Sequence, residues 1–96
     1  MFKWFDASEA EKFGTTLAGF FMERIPAAGS NNKAGEAKQR EVVEKMGLQI
    51  QIFKVNHSLN IYTKAKLANT FKWKLLDASY EPELVDELTK TILLKF

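Results

Sequence analysis

Wound at about 3.6 residues per turn, residues 33–57 place Val42, Val43, Met46, Ile50, Phe53 and His57 within one arc of about 100°. No other feature limits the possible folds of this chain as much. The stretch is rich in Ala, Lys, Glu, Gln and Leu, which lose little freedom in a helix. It also lacks an Asn-Gly or similar turn that would join two strands into a hairpin. LQIQI at 48–52 and LNIYTKAKL at 59–67 alternate as strands would, so paired strands are the competing reading. Length and composition favour a helix over about residues 33–55.

The flanking segments follow the same period. Phe13, Leu17, Phe20, Phe21 and Arg24 recur at spacings of three and four, which predicts a first helix over about 6–24. Ile25 precedes Pro26, a position that disfavours helix. PAAGSNNKAG at 26–35 is the strongest loop signal. A third helix is expected over about 58–78, with Ser58 as its cap, although nothing forbids its being continuous with the second. Its apolar arc would hold Ile61, Ala65, Leu67, Ala68, Phe71, Leu75 and Ala78. A fourth helix starts at Pro82, which is tolerated in a first turn, and runs to about 95 with Leu84, Val85, Leu88 and Ile92 on one face. The expectation is an all-α bundle of three or four helices forming one domain over 1–96.

The chain carries an echo, FKWFDASEAE at 2–11 and FKWKLLDASYEPE at 71–83. Asp6 with Glu9, or Ser8 with Glu11, has the spacing of a capping box. In the second copy Ser79 or Glu81 stands just before Pro82. Both copies read as helix starts. A duplicated domain is disfavoured, because aligning the glutamates sets Leu17 against Thr89 and Arg24 against Phe96.

Composition excludes several kinds of chemistry. With no cysteine and one histidine, disulfides, thiolate metal sites and histidine-rich metal clusters are ruled out. No zinc-protease, nucleophile-elbow or P-loop motif is present. His57 is the lone acid–base candidate, and its place on an apolar stripe favours a packed ring over catalysis. No catalytic, cofactor-binding or metal-binding residue is therefore assigned, and the chain is not expected to be an enzyme. MFKWFDASEAEKF lacks the apolar run of a signal peptide, and no run approaches the ~20 residues that span a bilayer, so a cytoplasmic location is expected.

Two helical faces remain. Leu48, Ile52, Val55 and Leu59 form a second apolar stripe, roughly opposite Met46, Ile50 and Phe53. A helix apolar on two sides is central in its bundle or part of an intermolecular contact, which points to self-association or a protein partner. Tyr62, Lys66, Asn69 and Trp73 share a face of the third helix, which either packs under a neighbouring helix or meets a partner. Residues 33–74 carry nine bases and three acids, and no acid lies between Glu44 and Asp77. The acid-free segment 45–76 with Trp73 therefore supports an alternative, a nucleic-acid-binding module. That charge can equally pack beside the acidic C-terminal helix. The lysines do not form one clean stripe, since Lys64 falls inside the apolar arc.

KAKLANTFKW and VDELT, within residues 60–90, resemble segments of small uncharacterised helical proteins from proteobacteria. The resemblance implies a helical fold and a bacterial cytoplasmic setting. It implies no activity, cofactor or site residue.

Overall fold

The computed structural model describes residues 8–27, 33–56 and 60–95. Four helices follow one another, α1 (Ser8–Arg24), α2 (Lys33–Asn56), α3 (Ile61–Asp77) and α4 (Pro82–Leu94). No strand occurs among the described residues, and LQIQI lies wholly within α2. The helical period therefore prevails over the alternation.

The connections explain the boundaries. Asn60 has extended backbone, and its side-chain oxygen accepts from the Thr63 amide at 2.9 Å. The Thr63 hydroxyl in turn accepts from the Asn60 amide at 2.9 Å. This reciprocal box satisfies two backbone donors at the start of α3, which opens as a separate helix rather than a continuation of α2. The cap is therefore Asn60 and not Ser58, which lies outside the described residues with His57 and Leu59.

The second half of the echo also needs correction. Ser79 has φ 72°, in the left-handed region. The Ser79 amide donates to the Leu76 carbonyl at 3.1 Å and the Tyr80 amide to the Leu75 carbonyl at 3.2 Å. These two bonds are a Schellman ending, completed by burial of both Leu75 and Tyr80. Ser79 thus stops α3 instead of starting α4. Glu81 precedes α4 without a side-chain capping bond, and Pro82 opens the helix. Of the first copy, Ser8 opens α1, and Phe2 to Ala7 lie outside the described residues.

α1 and α3 pack most closely, and they run parallel. Glu11 lies against Lys66, Gly14 against Leu67 and Phe71, and Phe21 against Tyr80. The approach depends on small side chains one turn apart, Ala10, Gly14 and Ala18, all buried. A Cβ on Gly14 would stand 2.7 Å from the Leu67 carbonyl oxygen, so no larger residue fits without separating the helices. α2 runs the opposite way and joins through stacked rings of Phe13 and Phe53, with centroids 4.2 Å apart. α4 packs on α3, and its C-terminal end reaches α2, where Gln51 and Lys54 donate to the Lys95 carbonyl at 3.3 and 3.4 Å.

One buried cluster draws on all four helices, with Leu17 and Phe21, Val42, Met46 and Ile50, Leu67, Phe71 and Leu75, and Val85 and Ile92. Each such side chain stabilises the fold by about 1.5–3 kcal/mol relative to exposure. The arc expected on α3 is rotated. Ile61 and Ala65 are exposed, Ile61 at 87%, as is Ala78, and Thr63 is buried in their stead. Thr63 can be buried because Asn60 satisfies its hydroxyl. The rotation leaves Lys64 only half-buried.

Candidate interaction surfaces

Val42, Met46, Ile50 and Phe53 turn inward from α2. On the other side Leu48, Ile52 and Val55 are 67%, 63% and 84% exposed. The stripe is thus outside the core, in the C-terminal half of the helix. Leu59, its expected fourth member, lies outside the described residues. Beside Leu48 is a hollow of about 560 Å³, lined by Glu41, Glu44, Lys45, Gly47, Gln51 and Lys95.

The Tyr62, Lys66, Asn69 and Trp73 face is also uncovered. Trp73 is 58% exposed, Tyr62 and Asn69 are exposed, and Lys66 is half-buried. Lys66, Asn69 and Trp73 line a hollow of about 380 Å³ together with Thr70, Lys74 and Asp77. The Lys72 ammonium stands 5.8 Å from the Trp73 ring centroid. Lys66 pairs with Glu11 of α1 at 3.3 Å, so part of the positive charge is neutralised within the fold. Tyr62 stands on the first turn of α3, away from this hollow.

Two features escaped the sequence reading. The first is the gathering of apolar residues at one end of the bundle. There α2 and α4 finish and α3 begins, and Ile52, Val55, Ile61, Tyr62, Leu93 and Leu94 are all exposed. The signal was divided among three helices, and projecting each one alone cannot assemble it. The second is a groove of about 810 Å³ between the N-terminal half of α2 and α4. Val43, Leu84 and Leu88 supply its apolar surface, and Glu36, Glu41, Glu44 and Glu87 line it with Arg40. Three glutamates on one helix, at spacings of five and three, and one on another converge only after folding.

Among the described residues no group of three or more His, Asp or Glu side chains could hold a metal ion, and no helix is long and apolar enough to cross a membrane. No family model, curated protein or solved structure matches the chain.

Proposed function

We propose that this is a non-enzymatic helical interaction protein that binds through an apolar helix face, by self-association or with a protein partner, in the bacterial cytoplasm. The observation that carries the reading is the exposure of Leu48, Ile52 and Val55 on the side of α2 opposite its buried stripe. An apolar stripe that the core does not use favours a contact that removes it from water. Sedimentation across concentration tests this. Ile52→Glu places a charge in the contact and is expected to abolish association with the helical signal intact. A variant that associates as the wild type does would overturn the reading.

The exposed Trp73 with Lys72, Lys66 and Lys74 nearby favours a second reading, a nucleic-acid-binding module. It predicts salt-sensitive quenching of Trp73 fluorescence by single-stranded probes. Absence of binding to single- and double-stranded probes at low salt ends it.

A further inference from the structure

The two features that only the folded chain reveals are complementary in charge. At the apolar end, Lys54 and Lys64 accompany Ile52, Val55 and Leu94, whereas the Lys95 side chain folds back over Gly47 of α2 into a hollow that Glu41 and Glu44 also line. Neither Lys54 nor Lys64 has a carboxylate partner among the described residues, and the Lys54 ammonium instead donates to the Lys95 carbonyl. The acids of the first turn of α1 at this end are already engaged, Glu9 with Lys12 at 3.9 Å and Glu11 with Lys66 at 3.3 Å. In the α2–α4 groove the balance is reversed. Glu41 pairs with Lys38 at 3.5 Å, while Glu36, Glu44 and Glu87 have no ion-pair partner among the described residues. Between these carboxylates lie Val43 and Leu84, both partly buried against the core.

We propose that the occupant of the groove is a second copy of this chain. The lysine-bearing apolar end of one molecule docks against the glutamate-rimmed groove of the next, giving head-to-tail association. This rests on the reading above that the α2 stripe is a contact surface, and it adds what that surface meets. A symmetric contact of two apolar ends would set Lys54 and Lys64 against the same pair of lysines, and like charges across an interface are unfavourable. The groove offers opposite charge and apolar surface. Because the two surfaces differ, each open assembly retains one free end and one free groove, so growth does not stop at two copies unless the rotation closes a ring.

Sedimentation of two complementary variants tests this. Ile52→Glu blocks the end, with Val55→Glu as a second variant of the same surface. Glu44→Lys with Glu87→Lys blocks the groove. All four positions are exposed, and circular dichroism checks that the helices persist. For the wild type, the mean mass is expected to rise with concentration past twice the monomer's 11.0 kDa and to fall with added salt. Each variant alone is expected to stay at 11.0 kDa, and their equimolar mixture to form a species of two copies and nothing larger. If the end variants are monomeric and the groove variant assembles as the wild type does, the inference falls and the α2 stripe stands as a symmetric contact. If the wild type stays at 11.0 kDa at every concentration, head-to-tail docking and self-association fall together.

Discussion

The Tyr80 hydroxyl donates to the backbone carbonyl of Ile25, 55 positions earlier in the chain. Ile25 follows the last turn of α1, and its own amide still donates to the Phe21 carbonyl at 2.8 Å. Tyr80 is the residue that the Schellman ending of α3 turns inward, and its ring meets the edge of Phe21 with centroids 5.7 Å apart. One side chain thus fastens the α3–α4 turn to the end of α1 and satisfies a carbonyl beside Pro26.

Removing that hydroxyl leaves the ring in place and takes the donor from the Ile25 carbonyl. Tyr80→Phe is expected to cost about 1–3 kcal/mol, read as a lower urea midpoint with unchanged slope. Burial raises the Tyr80 phenol above its ordinary value of 10.0. The unfolded chain then loses this proton first, so the contribution is complete below about pH 10 and is lost as pH climbs through the folded value. Stability of the wild type should fall more steeply above pH 10 than that of Tyr80→Phe. Equal slopes for the two proteins would refute this account.

Ser79 occupies the left-handed region that favours glycine. Ser79→Gly relieves that conformation and gives the unfolded chain extra freedom in return. The balance is expected to be a gain of about 0.5–1 kcal/mol in denaturant unfolding.

Gly14 and Gly19 stand on the same helix and predict opposite outcomes. Gly14→Ala drives a methyl to 2.7 Å from the Leu67 carbonyl and 3.1 Å from the Thr70 Cβ, and should cost about 1–3 kcal/mol. At Gly19 nothing stands within 4 Å of a new Cβ, so Gly19→Ala should stabilise by about 0.5–1 kcal/mol through helix propensity alone. Thermal unfolding of the two variants separates close packing from a general glycine effect.

The period of the helices was legible because burial selects it directly. Val42, Met46, Ile50 and Phe53 face the core that their spacing indicated. What misled was chemistry that spacing does not encode. Thr63 appears polar and is buried, because Asn60 three residues earlier satisfies it, and that rotation moved Ile61 and Ala65 into solvent. Ser79 resembled a cap of the next helix, yet the same residue in a left-handed conformation ends the previous one. The Ala10, Gly14 and Ala18 ridge was overlooked because small residues carry little hydrophobic signal; their role is to let two backbones approach. On the surfaces, the separate stripes of α2 and α3 were visible, whereas the shared end and the acidic groove depend on how four helices are ordered in space.

Capping of α3 can be isolated from its packing. Asn60→Ala removes the acceptor for the Thr63 amide and is expected to destabilise by about 1 kcal/mol. Asn60→Ser retains a capping oxygen and should recover most of that loss. Equal losses in both variants would assign the effect to something other than the cap.

The orientation of α2 is tested by two isoleucines two residues apart. Ile50 is fully buried, and Ile52 is 63% exposed. Ile50→Ala removes buried methyl groups and leaves a cavity, at a cost of about 2–5 kcal/mol. Ile52→Ala, measured at a concentration where the protein is monomeric, should change stability by no more than about 0.5 kcal/mol. In a strand these two side chains would share a face and lose alike; in a helix, residues two apart lie about 200° from each other. At concentrations that favour association the gap between them should narrow, because Ile52→Ala then weakens the contact between copies while Ile50→Ala still acts on the fold. A loss at Ile52 as large as that at Ile50 in dilute solution would place the stripe inside the bundle and leave the proposed contact without its apolar surface.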